Sequence, residues 1–578
     1  MVMITPENLP KGQMQGKQAR VYKRWKSLEN DRSSWRSHWI EISDYLLPRR
    51  GKYLLESSNS RGRKRNNRII DSSPTQSLRT MAAGMMSGMT SPARPWFRFA
   101  TPDPGMMDNY AVREWVQNAE LVCRNVLNNS NFYNTVYNIY SELGAFGTAP
   151  LYRQRSDSQI IRFRPFTAGE YVIAENDQGI VDTLGRNFTM TVGQLVEKFI
   201  ADPVTGDMAW EKCSAATKKL YDTGEYDTLV PIIHMIQPRR RDERDPTKLD
   251  AKNKPFQSCY FEEGGDGKTF LEEGGYDTFP AYVPRWDVLS GDVYGRSPGM
   301  DHLGDIKQLQ QEQKRKAQAI DKMVNPPMVA PTSLRGRPTT VIPGGTTYVD
   351  ATQGNQGFQP AYQVQPRIQE LMMDIQEVQG RIGRGFYADL FAMMIGSDRR
   401  QITATEVAER HEEKLVLLGP VLQRLNVELL DPLLKDTFGF AMEAGLLPPP
   451  PGDLAGQNLQ IEYVSLLAQA QQAAAATGIE RTMGFAGNLV AVFPNIVDNI
   501  DADKALREYS HILGNPTDIL VDKTIVEQTR AARAQAEQEQ QQMQQQMQMG
   551  AAGAQSAKVL SETDTQNPNA LTELLGRG

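Results

Sequence analysis

The chain has 578 residues, too many for one hydrophobic core, so two or more domains are expected. With 40% hydrophobic, 8% aromatic and 23% charged residues, the composition excludes a wholly disordered chain. Residues 1–70 carry 16 Lys/Arg against 6 Asp/Glu and the remainder 48 against 63, and an acidic body excludes a tight general DNA binder, whose affinity rests on neutralising phosphates.

The opening MVMITPENLPKGQ lacks an apolar run behind a basic start, so no secretory signal is expected and the chain should stay where it is made. Trp25, Leu28, Trp35, Trp39, Ile42 and Leu46 recur at steps of three, four and seven, which predicts a long amphipathic helix ending before Pro48. RGRKRNNR, from Arg61 through Arg63, Lys64 and Arg65 to Arg68, reads as a solvated basic segment that could touch phosphates. MAAGMMSGM (81–89) reads as helix packing, and SPARPWFRF (91–99) as a Pro-broken turn into a strand. Val112, Trp115, Val116, Ala119 and Val126 predict a helix over about 108–127.

From Ala145 to Trp286 short runs rich in Val, Ile, Tyr and Phe alternate with Gly, Asn and Asp, which predicts a mainly antiparallel β-rich region with one inserted helix near 192–200. FEEGG (261–265) and LEEGG (271–275) flank a GK pair, as at a hairpin tip. GGDGKT (264–269) imitates the end of a phosphate-binding loop. Glu262, however, stands where that pattern needs Gly and would repel a phosphate. Asp287, Asp292, Asp301, His302 and Asp305 crowd the entry to the next helix. A metal cluster is one reading; the other, turn and helix N-terminal carboxylates, needs no metal.

Leu303, Ile306, Leu309, Ala317, Ile320 and Met323 form one helical stripe, and Ile368, Leu371, Met372, Ile375, Val378 and Ile382 another. Asn325 to Pro366 separates them, bounded by Pro and Gly and containing β-prone VIP and TYV runs, so it should project as a small subdomain at the tip of a helical pair. About twenty residues per helix would make a stalk of roughly 30 Å. FYADLFAMMIGSDRRQ shows no clear period and reads as a connecting loop, and Thr403, Ala404, Thr405 and Glu406 form a capping-box pattern that starts a new helix. That helix carries Pro420 and Pro432 inside its apolar pattern, so bends are expected at both.

IEYVSL (461–466) reads as a returning strand, followed by Ala-rich helices to about Ala536 and a low-complexity Gln-rich end. The longest charge-free stretches, 463–479 and 482–497, are too diluted by polar residues to span a bilayer. Cys123, Cys213 and Cys259 are odd in number and far apart, offering neither a disulfide framework nor a zinc pair. His411, Glu412 and Glu413 lack the second His of a zincin motif, and no G-x-S-x-G elbow occurs. Neither a catalytic centre nor a cofactor is expected.

Four long strings, RNNRIIDSSPTQSLRTMAAGMMSGMTSPARPWFRF, ELGAFGTAPLYR, YGRSPGMDHLGDIKQLQQEQKRKAQAIDKMVNPPMVAP and ITATEVAERHEEKLVLLGPVLQRLNVELLDPLL, resemble in content and order the portal, or head-to-tail connector, proteins of short-tailed bacteriophages. The resemblance covers roughly residues 15–530. It implies an α+β, ring-forming portal-type fold: an α/β wing (1–300), a stem helix (301–324), a small β-containing clip (325–366) and a second stem helix (367–387). A channel-facing tunnel loop (388–402), a bent wing helix with a returning strand (403–464), crown helices (465–536) and a low-complexity tail (537–578), read from its composition as a helix that frays into disorder, would follow.

The function so implied is a ring of twelve identical subunits at one capsid vertex, through which double-stranded DNA is packaged and ejected. Its partners would be other copies of the chain, the terminase packaging motor, capsid and scaffold proteins and tail adaptors, without a membrane; assembly would take place in the host cytoplasm and the product would reside in the virion. The channel residues expected by resemblance are Met393, Met394, Asp398, Arg399 and Arg400 in the tunnel loop. Lys307, Lys314, Arg315, Lys316 and Lys322 are expected in the stem, and Arg335 and Arg337 in the clip. On composition alone, 388–402 reads as an ordinary surface connector. A tail or scaffold component that never meets DNA, and a hydrolase built on the Asp287 to Asp305 cluster, are the competing functional classes.

Overall fold

The structure is a computed structural model. It describes residues 16–54, 66–156, 158–202, 204–265, 270–330, 332, 335–336, 339–340, 359–360, 367–396, 418–454, 459–464, 478–489, 500–512, 520–521 and 523–562. They divide into two compact units, Met1–Ala100 with Val116–Pro449 and Leu459–Ala474, and Thr101–Trp115 with Pro450–Asn458 and Ala475–Gly578.

In the larger unit, helix α1 (Gly16–Tyr45) follows the expected stripe, with Trp25, Trp39, Ile42 and Leu46 fully buried. It lies on a five-stranded antiparallel sheet of β4 (Tyr171–Glu175), β5 (Val181–Thr191), β6 (Leu229–Pro238), β7 (Phe256–Glu262) and β8 (Glu272–Tyr276), in that order. Val21, Trp25 and Leu28 meet Val172, Ile233, Met235, Cys259 and Phe261. Trp25 comes so close to β5 that a Cβ at Gly185 would lie 2.8 Å from its ring, so only glycine fits there.

Other apolar residues of this sheet pack on the insert after β5, where Thr191 and Gln194 form a capping box. The insert holds α5 (Val192–Leu195), a π-turn (Val196–Ile200) and α6 (Ala215–Asp222), so two helices stand where sequence periodicity predicts one. β7 and β8 are antiparallel, as FEEGG and LEEGG suggest. The carboxylate of Glu262 accepts from the Ser214 amide (3.2 Å) and the Thr217 hydroxyl (3.1 Å). It thus serves the start of α6, while 266–269 lie outside the described residues.

Helices α2 (Ser73–Met89), α3 (Tyr110–Asn129) and α4 (Phe132–Phe146) precede a second antiparallel sheet, with β2 (Leu151–Ser156) between β3 (Ile160–Pro165) and β9 (Ala281–Tyr282). The Met- and Gly-rich run is the second half of α2 and packs as expected: a Cβ at Gly144 of α4 would fall 2.1 Å from Cε of Met81. β1 (Phe97–Ala100) pairs antiparallel with β12 (Gln460–Tyr463), the expected returning strand.

In the smaller unit residues 478–489 are helical, followed by α12 (Ala502–Ile512) and α13 (Lys523–Glu562). Arg530 grips Asp503 through both nitrogens, at 2.5 and 2.9 Å. Sequence reading takes the Gln-rich end beyond about Ala536 as a helix that frays, and α13 runs on to Glu562. Ala, Gln, Glu, Arg and Met are strong helix formers, and neither Gly nor Pro interrupts 523–549.

Candidate assembly and channel site

A single turn, α7 (Pro298–Asp301), capped by Ser297, leads into α8 (Leu303–Val324). The chain returns as α9 (Ile368–Gly385), so both apolar stripes expected to be helical are helices. The two run antiparallel. A Cβ at Gly385 would lie 2.1 Å from Nε2 of His302, and at the far end β10 (Met328–Val329) pairs with β11 (Gln359–Pro360). VIP, TYV and Arg337 lie outside the described residues, and Arg335 is exposed.

Among the described residues, the pair is anchored at one end. Leu303, Ile306 and Leu309 of α8 and Ile375, Val378 and Ile382 of α9 are buried. Beyond them Ile320, Met323, Val324, Met372 and Met373 face solvent, Met373 at 70% and Val324 at 72% exposure.

Asp71 fastens the anchored end. Its Oδ2 accepts from Gln313 (2.7 Å) of α8 and Gln379 (2.9 Å) of α9, and its Oδ1 from the Ser73 amide (2.8 Å) and hydroxyl (2.5 Å). Gln310 accepts from the amides of Ile70 and Asp71 and donates to the Asp71 carbonyl. Partial burial works to raise the carboxyl's pKa, but the hydrogen bonds from Ser73, Gln379 and Gln313 outweigh it and hold Asp71 below its usual range. This latch is absent from the sequence reading; its only trace was glutamine within the buried stripe of α8.

Of the expected stem cations, Lys307 binds Glu41 (2.6 Å), Lys316 is half-buried, and Lys314, Arg315 and Lys322 are exposed. The carboxylates at the stem entry do not converge on a metal. Asp287 faces Arg424 (3.4 Å), Asp292 faces Arg296 (3.6 Å), and Asp305 faces His302 (3.2 Å) and Arg381 (3.6 Å). Of the basic segment, Arg68 pairs with Asp44 at 3.2 Å, while Arg61, Arg63, Lys64 and Arg65 lie outside the described residues.

The expected loop over 388–402 is corrected in its first part: Ala388–Gly396 is a helix, α10. Leu390 and Phe391 are fully buried, and Phe391 packs where α2 has Gly84, whose notional Cβ would come within 2.3 Å of the Phe391 Cβ. A nine-residue helix that is apolar nearly all round has no polar face to reveal its period, which is why the segment reads as irregular. Met393 and Met394 belong to α10, whereas Asp398, Arg399 and Arg400 lie outside the described residues, as does the capping-box pattern at 403–406.

From Leu418 the wing segment is helical, opens into a π-turn at Asn426–Leu430 and continues as α11 (Asp431–Glu443). Pro432 has no N–H to continue the α ladder, and the wider turn lies immediately before it, where a bend is expected. Carboxylates tie this segment to the β-rich region. Arg285 clasps Glu428 through Nε (3.2 Å), Nη2 (2.8 Å) and its amide (2.8 Å), while Arg153 and Tyr282 meet Asp436 (2.8 and 2.7 Å) and Arg155 meets Glu443 (2.6 Å).

The mixture of helices and antiparallel sheets agrees with the α+β class that the resemblance to portal proteins implies, whereas α10 stands where that resemblance implies the start of a channel-facing loop. The model of the bacteriophage head to tail connecting protein family matches residues 18–520, and the chain belongs to that family. It is 44% identical over 551 residues to a probable portal protein of Bordetella phage BPP-1, covering 95% of this chain and 96% of the relative. To the portal protein of Salmonella phage epsilon15 it is 43% identical over 556 residues, covering 96% and 97%. Its role is that of a portal protein. A chain from the virion of a native gene transfer agent particle aligns with 76% of this chain and 99% of its own length, at 12% identity and a TM-score of 0.28, too low to carry an argument.

Proposed function

We propose that copies of this chain close into a ring, of about twelve subunits by analogy with the family, at one vertex of a phage capsid. Double-stranded DNA passes through the ring on packaging and ejection; the terminase motor, capsid and scaffold proteins and tail adaptors dock on it. The carrying observation is the open half of the stem. Among the described residues Ile320, Met323, Val324, Met372 and Met373 are exposed, and a second copy placed by rotation would bury them at about 25 cal/mol per Å². Asp398, Arg399 and Arg400, outside the described residues, are proposed by the resemblance alone to make weak phosphate contacts that neighbouring subunits exchange as DNA slides.

The ring is a conduit without turnover of its own, and the motor supplies the energy. Native mass spectrometry tests assembly: a closed oligomer is expected, and a monomer persisting at micromolar concentration refutes it. Steady ATP hydrolysis by the purified chain, abolished by Lys268→Ala, would refute the passive role.

A further inference from the structure

The exposed halves of the two stem helices carry opposite charge. On α8, Lys314, Arg315 and Lys322 share a solvent side at spacings of one and eight, with the exposed Asp321 as the one carboxylate among them; on α9, Glu370, Asp374 and Glu377 share another at four and seven. Glu370 pairs only with its own-helix neighbour Arg367, at 3.0 Å. The other five form no ion pair with any described residue. We infer that the acidic stripe of α9 in one copy docks against the basic stripe of α8 in the next, setting the register of the stem.

This inference rests on the ring reading and deepens it. The heights agree: α9 residue 381 stands beside 305 and 308, and 379 shares Asp71 with 310 and 313. Counting along both antiparallel helices at about 1.5 Å per residue brings Asp374 level with Lys314 and Arg315 and sets Glu370 about one turn from Lys322, while Glu377 falls level with Gln311 and Glu312. Rotation about an axis along the stem moves no residue in height, so the stripes meet in every interface of a closed ring. Each exposed pair contributes little, so the stripes select orientation and level more than total affinity, with the nearby Met372, Met373 and Met323 providing apolar contact. The stem cations so engaged are withdrawn from DNA, which suits a bore that must not grip.

Charge reversal tests the pairing. Three full-length chains are compared with wild type by native mass spectrometry and sedimentation across salt: Lys314→Glu with Arg315→Glu and Lys322→Glu; Glu370→Lys with Asp374→Lys and Glu377→Lys; and all six together. Each single-stripe reversal is expected to raise the concentration for half-assembly about tenfold at low salt, with the six-fold chain recovering to within about threefold of wild type. Should either reversed stripe assemble like wild type, or should the six-fold chain fail to recover while wild type forms rings, the pairing is wrong and the ring stands. A wild-type chain that never assembles removes the ring reading itself.

Discussion

Replacing Gly84 by alanine adds one methyl group where α2 meets α10. That methyl would lie 2.3 Å from Cβ, 2.5 Å from Cδ1 and 2.6 Å from Cγ of Phe391, against roughly 3.5–4.0 Å for an ordinary carbon contact. One helix must therefore move by about an ångström or Phe391 must leave its site, and overpacking of this kind costs about 1–3 kcal/mol. Alanine returns up to about 1 kcal/mol as a better helix former, so the expected net is destabilisation of about 1–2 kcal/mol. Gly439→Ala is the internal control. Gly439 lies inside α11 with no neighbour within 4 Å of its notional Cβ, so the propensity gain acts alone and its sign is opposite. Scanning calorimetry at fixed protein concentration compares the two, with limited proteolysis reporting on 388–396. A Gly84→Ala chain as stable as wild type, with α10 equally protected, would refute the packing of α10 on α2.

Three further expectations follow from particular groups. Burial pushes the Glu142 carboxyl up to about 7 from 4.5 despite the Arg50 guanidinium at 2.9 Å and the Thr167 hydroxyl at 2.8 Å. Its contribution is therefore complete below pH about 4.5 and lost as pH rises through about 7, on the order of 3 kcal/mol; Glu142→Gln should flatten melting temperature against pH across that window, and an unchanged slope contradicts it. Asp71 has the opposite sign, since its carboxyl is held low: its support is present above about 3.8 and fades as pH falls through its lower folded value, so Asp71→Asn should loosen the stem at neutral pH, as read by hydrogen exchange in 303–313, and show no further loss in acid. Truncation after Gln540 should leave assembly intact, because the described side chains of α13 beyond it are exposed; a truncated chain that stays monomeric refutes this.

Regular one-faced periodicity made α1, α8 and α9 readable within a few residues, because each packs one stripe and leaves the rest in water. Helix α4 was not read, because all of its last stretch, Ser141–Phe146, is buried and the period shows only over Phe132–Tyr140. α10 failed in the same way. The Gln-rich end reads by composition as a fraying helix, and strong helix propensity over 523–549 carries α13 through it. Nothing local announces the Asp71 latch, whose partners lie 242 and 308 positions away, nor the Arg285 clasp on Glu428, 143 positions away. Such contacts exist only once the chain has folded.

Electron-microscopy class averages of the purified full-length chain test the central claim most directly. End views should contain closed rings of about twelve equal subunits around a hole wide enough for duplex DNA, and side views a narrow stem below a broad wing. Solid particles, open filaments or rings with no central hole would contradict the account.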